Sequence, residues 1–118
     1  MGQLVRLAEF RRKSTGLHFT RAELNQLLGV YSSRVIKGEW RDYSIGTTPG
    51  FARFCIYRSS REEPAFTITK LATEGRARSP LARKGQFMVT SQQRTLSQSN
   101  SLIEALQIFD RALGLVSH

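Results

Sequence analysis

The run FTRAELNQLLGVYSSRVIKGEWRDYSI, residues 19–45, contains the point at which helical periodicity gives way to alternation. Leu24, Leu27, Leu28, Tyr31 and Val35 recur at helical spacing and predict one apolar stripe on an amphipathic helix. Thr20 and Glu23 precede it at the spacing of a capping box, in which each side chain satisfies an amide that the first turn leaves unpaired. Phe19 and Leu24 hold the two staple positions around that box. Arg34 and Lys37 suit the negative end of the helix dipole, and Gly38 is placed to end the helix in the left-handed conformation. From Tyr43 the period is two. Glu39, Trp40, Arg41 and Asp42 therefore make the corner between helix and strand. One reading has Trp40 filling the gap between helix and sheet, with Arg41 and Asp42 hydrogen-bonded around the turn. The other is an exposed Trp–Arg surface that stacks on a ligand. Packing is the favoured expectation for a lone tryptophan beside a helix cap.

Outward from this corner the alternation continues. Tyr43 and Ile45 alternate with Asp42 and Ser44, and TTPG at 47–50 is a turn. FARFCIYR at 51–58 places Ala52, Phe54 and Ile56 on one face, and Phe51, Arg53, Cys55 and Tyr57 on the other. SSREEP interrupts the pattern, and Pro64 marks where the next strand can begin. AFTITKL at 65–71 puts Phe66 and Ile68 on one face and threonines on the other. TEGRARSPLARK, residues 73–84, reads as a basic loop too polar for the core. QFMVT at 86–90 is a strand with Phe87 and Val89 inward, and a short last strand around Leu96 pairs back across a turn near Gln92 and Gln93. Ser101 and Glu104 repeat the capping box. Leu102, Leu106, Phe109 and Leu113 form a second stripe, with Gly114 as the expected cap and Leu115 folding back on the last turn. The expected fold is α+β: two layers, an antiparallel sheet of four to five strands, an N-terminal and a C-terminal helix. Residues 1–17, which include RRKSTG, are expected to be a basic flexible arm, and 18–118 a single domain.

A chain of 118 residues suits one domain and buries enough surface to fold without metal or disulfide. Cys55 is the only cysteine, so no internal disulfide forms and a reducing, cytoplasmic compartment is expected. No apolar run approaches the ~20 residues of a membrane span, and LVRLA near the start is too short and interrupted for a secretory core. The net charge of +9 is uneven: residues 70–94 carry +5, residues 1–18 carry +3 and residues 95–118 carry −1. Such an excess attracts polyanions, or simply keeps the protein in solution.

The runs FTRAELNQLLGVY (19–31) and GEWRDYSI (38–45) resemble a bacterial family known as domain of unknown function 2794. The resemblance continues through ARFCIYR, EEPAFTITK, ARKGQFMV and LIEALQIFDRALGLV, covers roughly residues 19–116, and is most specific at GEWRDY. It implies a bacterial cytoplasmic setting and brings no activity, cofactor or catalytic residue.

The chemistry available is limited. The histidines are His18, in the arm, and His118, the last residue, so neither sits on a patterned element that could fix a catalytic geometry. Cys55 falls mid-strand, where a thiol behaves as a small hydrophobe, and Glu62 with Glu63 reads as a solvated turn. Metal-ligand spacing and phosphate-binding glycine motifs are both absent from the sequence, so no enzyme, metal or cofactor is expected. A binding role has more support. Arg53 and Tyr57 on the outward strand face, with Lys70, Arg76, Arg78, Arg83 and Lys84 around it, form a candidate surface for RNA or single-stranded DNA. The corner residues Gly38, Trp40, Arg41, Asp42 and Tyr43 are assigned structural roles. The alternative is a protein-interaction or regulatory module, homodimeric and without a nucleic-acid role. In that case a helix or a second subunit covers the outward face, which is the favoured expectation for that face.

Overall fold

Helix α1 (Arg21–Ile36) begins at the capping box of the sequence. The Glu23 amide donates to Thr20 Oγ1 at 3.1 Å, and the Thr20 amide to Glu23 Oε1 at 2.8 Å. It ends in a Schellman arrangement: the Gly38 amide donates to Val35 O and the Glu39 amide to Arg34 O, both at 2.9 Å, with Gly38 at φ +79°. The structure, a computed structural model, describes residues 16–59 and 63–117, with the backbone alone over 111–117. Most of the basic arm thus lies outside the described residues, as do Glu62 and His118. Leu17 is fixed, its amide donating to Thr48 O at 2.9 Å.

Five strands follow, β1 (Asp42–Thr47), β2 (Phe51–Tyr57), β3 (Phe66–Leu71), β4 (Phe87–Ser91) and β5 (Arg94–Ser99), and then helix α2 (Leu102–Ser117). The sheet is an antiparallel meander in the order β1-β2-β3-β4-β5. Consecutive strands pair throughout, the commonest arrangement, even across the fifteen residues between β3 and β4. A 3₁₀ turn, Pro80–Lys84, interrupts the loop between β3 and β4. Ala52, Phe54 and Ile56 of β2, Ile68 of β3, and Phe87 and Val89 of β4 share the inner face and meet Leu27 of α1 and Leu102, Ala105, Leu106 and Phe109 of α2. This is the two-layer α+β fold that the two periodicities predict.

Two details of the second half differ from expectation. Helix α2 runs through Gly114 to Ser117. A glycine costs a helix only about 1 kcal/mol, too little to stop it without a residue that turns the chain away. The second capping box is rerouted as well. Ser101 Oγ accepts from the Glu104 amide at 3.3 Å, but the Glu104 carboxylate accepts from Ser99 Oγ, 2.7 Å, and Ser99 Oγ in turn accepts from the Ser101 amide. Ser99 is thus inserted between the two halves of the box.

The β4–β5 hairpin turns on Gln92 and Gln93, both at positive φ (51° and 69°), as a type I′ turn requires. Glutamine is poorly suited to that region, where asparagine and glycine are favoured. Replacing the pair by Asn-Gly should raise stability by about 1 kcal/mol. It should move the urea midpoint upward at unchanged slope; an unchanged or lower midpoint would show that the glutamine side chains make contributions the turn geometry does not explain. Beyond the turn, Val89 faces Ser97 and Thr90 faces Thr95, so Leu96 is an extra residue in a bulge and packs against the core.

Candidate functional site

The sequence offered one candidate surface, and the fold divides it. Trp40 is buried, at 3% exposure. Its ring meets Phe109 edge-on at 5.2 Å between centroids and tilts against Phe66 at 5.8 Å. The corner is therefore a joint between α1, the sheet and α2, and Trp40 is its filling. Around it the Arg41 amide donates to Tyr57 O at 2.8 Å, and Asp42 Oδ1 accepts from the Tyr43 amide at 2.8 Å.

Arg34 completes the joint. It is buried at 6% exposure, pairs with Glu39 at 3.1 Å, donates to the carbonyl oxygen of Phe109, and holds its guanidinium 5.5 Å from the Trp40 ring centroid. Its assignment to the helix dipole missed this. Arg34 lies three residues after Tyr31 and seven after Leu27, so it falls on the apolar stripe itself, and that spacing was the available signal. Tyr31 stands edge-on to Tyr43 at 4.9 Å. Desolvation, then the charges of Asp42 and Tyr43, push the Tyr31 phenol above its ordinary range.

Lys70 does not belong with the other basic candidates. Its register partners are Ala52 and Phe87, so it points to the helix side, buried at 8% exposure. There its ammonium donates to Glu23 Oε1 and His18 O, both at 2.9 Å. One carboxylate thus caps α1 and clamps that helix to β3. The alternation Phe66, Ile68, Lys70 already placed the lysine inside; its charge suggested otherwise.

Among the described residues, no helix packs on the opposite sheet face. Along β2 it presents Phe51, Arg53, Cys55 and Tyr57, with Thr67 and Thr69 beside them on β3 and Met88 and Thr90 on β4. Of the expected covers, the helix is not found there among the described residues, and what they supply is partial. The loop between β3 and β4 folds over one end, where Ala77, Ser79 and Leu81 form a wall, and leaves an open groove of about 570 Å³. Gln98 Nε2 fixes that wall by donating to Leu81 O at 2.7 Å and Gly85 O at 2.8 Å. In the groove Arg53 is exposed, with its guanidinium 4.2 Å from the centroid of the Phe51 ring. Arg76, Arg78, Arg83 and Lys84 are exposed on the loop, and no ion pair ties them to described residues. Arg76 faces a neighbouring recess lined by Leu17, Pro49 and Glu74. Tyr57 lies at the far end of the face, about 20 Å along the strand from Phe51, with its hydroxyl 3.1 Å from Ser44 Oγ. Cys55 sits between, half-buried, accepting from Thr67 Oγ1 at 3.9 Å.

The fold and this face define a class: a two-layer α+β domain whose helices cover one side of a meander sheet while the other, among the described residues, stays open beside a basic loop. The chain belongs to the family described as Protein of unknown function (DUF2794), which matches residues 17–105. No curated protein and no solved structure matches it significantly. Among the described residues no helix is long and apolar enough to cross a membrane, and no group of three or more His, Cys, Asp or Glu is placed to hold a metal ion.

Proposed function

We propose that the protein is a non-catalytic module that binds RNA or single-stranded DNA across the open sheet face. The observation that carries this reading is the Arg53–Phe51 pair in the groove, an aromatic and a cation held together beside four exposed basic residues of one loop. A sheet face of this kind lets bases stack on the ring while the backbone phosphates meet the cations. The loop charges lack carboxylate partners among the described residues, so a polyanion neutralises them without first breaking ion pairs. Tyr57, at the other end of the strand, supplies a second ring along the same track.

The test is titration of short labelled RNA and single-stranded DNA at two salt concentrations. Affinity should fall with a log–log slope of about −0.7 for each phosphate contacted. Reversing Arg76, Arg78, Arg83 and Lys84 to glutamate should weaken binding and flatten the slope with the fold intact, since these side chains are exposed. Arg53→Ala or Tyr57→Ala should weaken it by about 1–3 kcal/mol at low salt if those side chains meet a base. Lys70→Met serves as the control, because Lys70 faces the helices: it should alter stability and leave the salt slope unchanged. Absence of binding at low salt, or binding indifferent to the loop reversals, would end this reading.

A further inference from the structure

We infer that β1 is the dimerisation edge of this protein, pairing antiparallel with β1 of a second copy to make one continuous sheet. The inference shares Arg53 with the proposed nucleic-acid surface but rests on the strand edge, and self-association is measured without nucleic acid. It starts from the two sheet edges, β1 and β5, as the described residues leave them. β5 opens on Arg94 and is broken by the bulge at Leu96, two devices that discourage strand addition. β1 has no bulge in its pairing, and within Asp42–Thr47 it carries no lysine, arginine or proline. Next to it, apolar surface is exposed: Tyr43 at 38% and Ile45 at 48%, with Val35 at 38% one helical turn beyond Tyr31.

The backbone parity of this edge follows from its neighbours. The Thr48 amide donates to Phe51 O at 2.8 Å, and directly opposed pairs alternate along an antiparallel ladder. Counting back by two, Gly46 and Ser44 face β2, while Tyr43, Ile45 and Thr47 turn their amides and carbonyls outward. Among the described residues, the Tyr43 amide bonds its neighbour's carboxylate, Asp42 Oδ1.

One register satisfies these groups and the side chains together. With Ser44 opposite its own copy, Tyr43 of each chain faces Ile45 of the other in a hydrogen-bonded pair, an aromatic against a β-branched residue on the helix side. On the open face the same register sets Asp42 opposite Gly46 of the other copy. Gly46 is itself the β1 partner of Arg53. Arg53 and Asp42 of opposite copies are then two strand spacings apart, about 9.5 Å between backbones, with only a glycine between them. An arginine and an aspartate span that distance. The contact occurs twice, so the edge is complementary in charge as well as in shape to a second copy of itself. Both open faces fall on the same side of the joined sheet.

The test is sedimentation velocity on the full chain, with circular dichroism to monitor the fold. The wild type should dimerise at about 100 µM, ample for a micromolar association. A Cβ at Gly46 would meet nothing within 4 Å, so Gly46→Asp should fold normally. It should weaken the dimer at least tenfold, because it sets a second carboxylate opposite Asp42 of the other copy. Asp42→Arg and Arg53→Asp should each weaken self-association, because each sets like charges opposite one another. Mixed together, those two variants should form a heterodimer, in which both pairs become complementary. A wild type monomeric at that concentration, a dimer indifferent to Gly46→Asp, or a mixture that fails to restore association would each overturn the inference.

Discussion

Trp40→Ala should lower stability by about 3–5 kcal/mol, the range for emptying a large, fully enclosed site. The indole fills the space where α1, the sheet and α2 converge, against Phe66 and Phe109 and beneath the Arg34 guanidinium. Removing it also takes an aromatic face from Arg34, which is buried and has few other partners. Chemical denaturation followed by circular dichroism is the appropriate measurement, since the variant loses the only tryptophan fluorophore. A loss under ~1 kcal/mol would mean that the joint closes around the gap, and would refute the role given to this residue.

Gly85→Ala should be nearly as damaging, at about 2–5 kcal/mol, through backbone rather than side-chain space. Gly85 ends the 3₁₀ turn at φ +144°, a conformation open essentially to glycine. A Cβ there would come within 2.5 Å of the carbonyl carbon of Ser99, and Ser99 is held in the ladder opposite Phe87. The β3–β4 loop and the end of β5 would have to separate. Because that loop walls the groove, the substitution should also disturb whatever binds there. A variant as stable as the wild type would show that the loop moves away from Ser99 without cost. Gly75→Ala, also at positive φ but with open space around it, isolates the backbone contribution and should cost about 1–2 kcal/mol.

The elements themselves were legible because each is specified locally. The box of Thr20 and Glu23, the stripe from Leu24 to Tyr31 and the stop at Gly38 lie within one helix and need no distant partner to be read, although the stripe's expected end at Val35 lies exposed and Arg34 is buried in its place. The alternation in 51–58 and 65–71 likewise assigns faces by parity alone. The tight turns before β2 and β5 then set those two hairpins, whereas connection length did not fix the β3–β4 pairing across its long loop. The burial of Trp40 was expected on similar grounds, as an aromatic between two elements that must pack.

What the sequence could not decide was which neighbour each polar group would find. Arg34 and Lys70 were read from their charge, which predicts solvent, although their spacing put both on buried faces. The deciding partners, the Phe109 carbonyl and the Glu23 carboxylate, are 75 and 47 residues away, and only chain closure brings them within hydrogen-bond distance. Glu23 shows the same point, since its local role in the cap is legible and its ion pair is not. The state of the outer sheet face also depended on tertiary structure. Periodicity assigns Phe51, Arg53 and Tyr57 to one side, but whether a helix covers that side depends on where both helices pack. They share the inner face because the large apolar side chains Phe54, Ile56, Ile68 and Val89 all point there, and the burial of both stripes against them leaves Arg53 facing solvent.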